Sequence, residues 1–150
     1  MSTKTSTRTA AALAACAAAL ALPASASAET FRGQTAQGKP VIVETRPDGS
    51  VRKVSWQWRT TKCEQGNLRL KTQTTVLKNP RSRRPGSFAV DGSYKVDYSD
   101  ATIRFKVDSS GTQRSPDRWS GTFKAKAIVD LDRGEDTVCK LRRLDWAATT

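Results

Sequence analysis

The sequence predicts an all-β protein: an antiparallel β-sandwich or small barrel of about eight strands, held by one disulfide and made behind a cleaved signal peptide. Three observations carry the fold class. Apolar and polar residues alternate with period two in segment after segment. Turn-forming residues separate these segments. Beyond the N-terminal stretch, no segment carries apolar residues at helical spacing with capping residues.

The strands are read in order. Val41 and Val43 mark a short early strand. Val54, Trp56 and Trp58 share a face, with Ser55, Gln57 and Arg59 outside. Leu68, Leu70, Thr72, Thr74 and Val76 continue the alternation. Phe88, Val90, Gly92, Tyr94, Val96 and Tyr98 fall on one face, opposite Asp91, Ser93, Lys95 and Asp97. Ala101, Ile103, Phe105 and Val107 repeat the pattern, as do Trp119, Gly121, Phe123, Ala125, Ala127 and Val129. In the last strand, about Thr137 to Ala148, the phase breaks between Cys139/Leu141 and Leu144/Trp146. A one-residue bulge near Arg142-Arg143 would restore the inward face.

The breaks have turn chemistry. Pro47-Asp48-Gly49-Ser50 is a hairpin signal. Tyr98-Ser99-Asp100 is a tight link, Asp108 to Pro116 and Asp132 to Glu135 read as longer turns, and Asn79 to Gly86 is a basic loop between prolines. Glycines two residues from an aromatic, as in Phe31/Gly33, Gly92/Tyr94 and Gly121/Phe123, predict strongly curved sheets.

Residues 1–28 read as a secretory signal, and 29–150 as a single secreted domain. Lys4 and Arg8 form a positive start, an uncharged Ala/Leu stretch follows, and Ala26-Ser27-Ala28 supplies the small-x-small cleavage pattern. Leu13-Ala14-Ala15-Cys16 also has the form of a lipoprotein box, but the apolar run continues past Cys16 to Leu22 and the better placed cleavage site comes later. No second apolar run follows, so the mature chain is expected to lack a transmembrane segment. Its two cysteines, Cys63 and Cys139, are expected to pair in an oxidising compartment. On chain-entropy grounds that is worth roughly 4 kcal/mol.

Phe31-x-Gly33-x-Thr35-x-Gln37-Gly38-x-Pro40-Val41, the mid-chain Cys63, the Gly-aromatic strand and the closing Cys139…Trp146-Ala147 pattern resemble small secreted β-sandwich proteins of actinobacterial type. Where those proteins usually carry Gly after the last Cys, this chain has Lys140-Leu141-Arg142-Arg143. The resemblance implies a fold and a compartment. That family has no assigned activity, so it implies no function.

The chain has no His, which removes His-based triads, imidazole general bases and His-metal sites. No metal or other cofactor site is expected. Asp130-x-Asp132-x-Gly134-x-Asp136 has the spacing of a cation-binding turn, but Arg133 inside it and the missing downstream Glu favour a plain acidic hairpin. Glu44, Glu64, Asp91 and Asp97 are the carboxylates open to acid–base work. Asp91 and Asp97 sit on an outward face beside Lys95, as solvated sheet residues do, so no catalytic residue is assigned. Trp56 and Trp58 could stack on sugar, yet their phase with Val54 places them in the core.

The net charge of +12 is the remaining feature. Lys78, Arg81, Arg83 and Arg84 cluster in the proline-flanked loop, Lys140, Arg142 and Arg143 cluster near the end, and Arg52, Lys53, Arg59 and Lys62 flank the Trp strand. Clustered cations attract polyanions and release counterions on binding. The sequence therefore points to a non-enzymatic secreted or envelope protein whose basic surface meets anionic envelope polymers or extracellular nucleic acid. The alternative is a carbohydrate-binding or carbohydrate-processing β-sandwich.

Overall fold

The structure, a computed structural model, describes residues 27–66, 70–82, 84–131 and 136–150. Residues 1–26, which hold Cys16 and most of the segment expected to be a signal, lie outside the described residues, as do Leu68, Arg83 and Asp132 to Glu135. Among the described residues nine strands form: β1 (Thr30–Thr35), β2 (Pro40–Thr45), β3 (Val51–Trp58), β4 (Lys62–Cys63), β5 (Gln73–Lys78), β6 (Ser87–Asp97), β7 (Ala101–Ser115), β8 (Arg118–Leu131) and β9 (Thr137–Thr149). There is no helix among the described residues.

All nine strands belong to one antiparallel sheet in the order β5-β3-β2-β1-β9-β8-β7-β6. The edge of β9 has two partners. β1 covers its C-terminal end, from Thr35↔Trp146 to Arg32↔Thr149, and the two-residue β4 covers its start, at Lys62↔Lys140 and Cys63↔Cys139. The cysteines are bonded as expected, at directly opposed positions of the β4–β9 ladder and with Cα atoms 3.9 Å apart.

The sheet curls onto its own inner face. Trp56 of β3 stacks on Phe123 of β8 with centroids 5.0 Å apart, although β2, β1 and β9 lie between them in the sheet. Trp58 meets Phe105 edge-on at 5.9 Å, and Phe88 stacks on Trp146 at 6.1 Å. The result is a half-barrel filled by aromatic side chains. Its end strands, β5 and β6, share no ladder. Side chains close the seam: Trp58 Nε1–H donates to Thr75 Oγ1 (2.9 Å), and Thr75 Oγ1 is bonded to the Tyr94 hydroxyl (3.0 Å).

The curl needs close approach at glycines. A Cβ on Gly121 would lie 2.0 Å from the Ser110 carbonyl oxygen and 2.5 Å from the Trp146 ring, and one on Gly33 would lie 1.8 Å from the Ala147 carbonyl oxygen. Gly92, by contrast, has open space at its Cβ position. The indole N–H groups of Trp56, Trp119 and Trp146 are buried without a hydrogen-bond partner among the described residues. Their surroundings are ring faces and edges, with T-shaped contacts between Trp56 and Trp146 and between Phe31 and Trp119, a geometry in which an N–H can meet a π face.

Three sequence expectations are corrected. Asp108 to Ser115 is not a turn but the second half of β7, and the turn is confined to Pro116 and Asp117. Ser109 can face inward there because its hydroxyl donates to the Thr122 carbonyl (2.8 Å). In β5 the phase is reversed: Thr75 is inside and Val76 is 45% exposed. Tyr98 lies beyond the end of β6 and is 51% exposed. The bulge in β9 falls where the phase break placed it. Phe123 pairs with Leu144 and Ala125 with Leu141, so Arg142 and Arg143 together oppose Lys124.

Candidate polyanion-binding surface

The outward parity of β7, β8 and β9 combines with their register to align lysines. Lys106 faces Lys126, Lys126 faces Lys140, and Lys140 faces Lys62 of β4. With neighbouring strands 4.7–4.9 Å apart, this four-lysine row spans roughly 14 Å across the sheet. Lys62, Lys106 and Lys140 are exposed and Lys126 is half-buried. Like charges at directly opposed positions destabilise a sheet.

The bulge widens the row. Arg142 and Arg143 are consecutive and both exposed, with Lys124 across from them. The carboxylates nearest these cations are Asp108, directly across the β7–β8 ladder from Lys124, with Glu64 and Asp145. Lys140 reaches Glu64 at 3.5 Å and Arg143 reaches Asp145 at 3.5 Å, both between well exposed side chains. Lys62, Lys106, Lys124, Lys126 and Arg142 make no ion pair with any described residue.

A second bulge provides the contrast. Between β2 and β3 the register shifts after Glu44, so Arg52 and Lys53 also stand side by side. Glu44 takes both, at 2.8 Å and 2.7 Å. The hydrogen bond from Lys53, then that from Arg52, holds the Glu44 carboxyl below its ordinary value. The bulge in β9 has the same basic geometry with no such clamp.

The residues expected from sequence to bind polyanions separate into two groups. Lys140, Arg142 and Arg143 lie on or beside the row. Lys78 is exposed at the end of β5, and Arg81 and Arg84 are exposed in the loop that follows at the seam. Ser82 Oγ donates to the Arg84 and Ser87 carbonyls, and the Ala89 N–H donates to the Arg81 carbonyl (3.3 Å), which ties the loop to β6. The loop enters β6 at Ser87, on the level of Thr112, whereas the row crosses at Lys106, six residues away along β7. That is roughly 20 Å along the strand direction. Lys106, Lys124 and Lys126 were not picked out from sequence as binding residues, although their outward parity was readable there, and Lys62 was picked out only as one of the cations flanking the Trp strand.

At its β4 end the row runs into a depression lined by Arg59, Lys62, Lys71 and the hydroxyls of Thr60, Thr61 and Thr72. On the β6 side, one row along from the lysines, Asp91 faces Asp108. The other candidate carboxylates are engaged with cations: Asp97 with Lys95 at 3.0 Å, Glu64 with Lys140, and Glu44 as above. Hydrogen bonds from Lys95 and Thr102 hold Asp97 below its ordinary value, the opposite of what a general acid requires. Asp130 is held by Arg104 at 2.9 Å. All four tryptophans are buried, so they offer no surface for sugar stacking.

Against known proteins, no family model, no curated protein and no solved structure matches this chain. Fold and chemistry therefore define the class on their own: a disulfide-bonded, all-β half-barrel. No helix among the described residues is long and apolar enough to cross a membrane, a statement that does not concern strands. The disulfide and that observation are compatible with an extracellular protein.

Proposed function

We propose that this is a non-enzymatic secreted or cell-envelope protein that binds anionic polymers through the outer face of β7, β8, β9 and β4. The observation that carries the reading is the row Lys106, Lys126, Lys140, Lys62, four cations in direct cross-strand opposition. A polyanion laid on the row would relieve that repulsion and release its own counterions. The signal-like start at Lys4 to Ala28 and the likeness to small secreted actinobacterial β-proteins support the compartment. The loop cations Lys78, Arg81 and Arg84 are a secondary contact in this reading.

Retention on heparin, read as the salt concentration of elution, tests it. Wild type is expected to be retained at about 0.15 M salt. Changing Lys106, Lys126 and Lys140 to Gln together should lower the elution salt far more than changing Lys78, Arg81 and Arg84 to Gln. Passage of the wild type through the column, or a row variant eluting with the wild type, would overturn the proposal.

A further inference from the structure

Resting on that reading, we propose that the row accepts one flexible, base-free anionic chain running across the strands and around the outside of the curl, and that it discriminates against duplex nucleic acid. The direction follows from register. The four lysines are cross-strand partners, so the line joining them is perpendicular to the strands. In this sheet that is the direction of curvature, since Trp56 and Phe123 meet on the inner face from strands well apart in the sheet order. The outer surface is therefore convex along the row.

A convex row selects by stiffness. Duplex DNA bends over a persistence length of about 150 base pairs, so a duplex laid along the row touches it near one point and leaves the outer lysines unused. A flexible chain follows the curve and engages all four. Lysine suits this role, being a point charge on a mobile stem that does not demand a fixed anion geometry.

The surroundings argue against base recognition. Single-strand nucleic-acid binders stack bases on exposed aromatic side chains. Here the tryptophans and phenylalanines are buried. The well exposed aromatic, Tyr98, lies beyond the end of β6, away from the lysine level. Charge also sets the path. Asp91 and Asp108 repel an anionic chain on the β6 side of the next row, whereas Lys124 and Arg142 attract it on the β8–β9 side. The depression at Arg59, Lys62 and Lys71 continues the track past β4.

Competition binding with the full, disulfide-bonded chain tests the inference, using inorganic polyphosphate, a thymidine oligonucleotide and duplex DNA at matched phosphate count and fixed salt. Polyphosphate should bind at least about tenfold more tightly than duplex, and the oligonucleotide no more tightly than polyphosphate. The salt slope for polyphosphate should fall by roughly 0.7 for each lysine removed, taking the single-strand value, in K126Q and K140Q. Duplex binding as tight as polyphosphate, tighter binding of the oligonucleotide, or an unchanged slope in these variants would overturn the inference while heparin retention still upheld the polyanion reading. Failure of polyphosphate and heparin alike would overturn both.

Discussion

Lys126 on β8 stands directly across from Lys140 on β9, at neighbouring positions where a stable sheet face ordinarily places opposite charges. Its other neighbour across the ladder, on β7, is Lys106. The Lys126→Glu substitution converts two repulsive pairs into attractive ones. It is expected to raise stability by about 0.2–1 kcal/mol per pair in low salt, as measured by urea unfolding. Added salt should stabilise the wild type more than the variant, because screening removes repulsion from one and attraction from the other. A variant less stable than wild type at low salt would mean that the three lysines do not feel one another.

The seam yields a second prediction. Trp58 is fully buried, and its N–H donates to Thr75 Oγ1. Thr75→Val keeps the shape but removes the acceptor, leaving a buried donor unsatisfied. The expected cost is about 1–3 kcal/mol. Thr75→Ser keeps the hydroxyl and loses one methyl, for about 0.8 kcal/mol. Equilibrium unfolding of the two variants checks the order. Equal losses would show that packing, not the hydrogen bond, fixes Thr75 inside.

This same residue shows where the sequence could be read and where it could not. The β9 bulge was legible because Cys139, Leu141, Leu144 and Trp146 are all apolar and their parity visibly breaks. In β5 the inward residue is polar Thr75 and the outward one is apolar Val76, so parity misleads. The buried hydroxyl is acceptable only because Trp58 and Tyr94, distant in sequence, come to meet it. Ser109 in β7 is hidden in the same way by its bond to Thr122. For the lysine row, the outward parity of Lys106, Lys124 and Lys126 was legible. Their alignment with Lys140 was not, because it depends on the register and the bulge between the consecutive strands β8 and β9, and the alignment with Lys62 was not, because β4 lies far earlier in the chain than β9 and its register is set by the whole sheet.

Acid should destabilise the fold, and neutral pH should leave it flat. Among the described residues, four carboxylates are held below their ordinary values: Glu44 by Lys53 and Arg52, Asp48 by the Ser50 hydroxyl and N–H, Asp97 by Lys95 and Thr102, and Asp117 by the Ser115 hydroxyl. With folded values depressed, the unfolded chain binds more protons in the acid range, so stability rises with pH there. The contribution is complete above the ordinary values of 4.5 for Glu and 3.8 for Asp, and is lost as pH falls through the lowered folded values. The chain has no His to titrate near neutrality. The thermal midpoint is therefore expected to be level from about pH 5 to 8 and to drop below about pH 4. A decline beginning at about pH 6 would require a titrating group outside these four.

The disulfide should matter for both stability and the row. Cys63 and Cys139 are 76 residues apart in sequence and almost wholly buried, at 4% and 0% exposure, so reductant reaches them only when the fold opens. Replacing both by Ala releases a loop constraint worth roughly 4 kcal/mol on the chain-entropy model. The loss falls first on β4, whose two residues otherwise rest on a few hydrogen bonds. Among these, the Thr61 N–H donates to the Lys140 carbonyl (3.1 Å) and the Glu64 N–H to the Val138 carbonyl (2.9 Å). Lys62 belongs to β4, so its place opposite Lys140 depends on the strand that the disulfide anchors. The double Ala variant, in conditions where it stays folded, is expected to show the lower urea midpoint together with a smaller salt slope for polyphosphate, by roughly the 0.7 of one contact. A lower midpoint with an unchanged slope would show that Lys62 keeps its place without the bond, and that backbone hydrogen bonds alone hold β4 against β9.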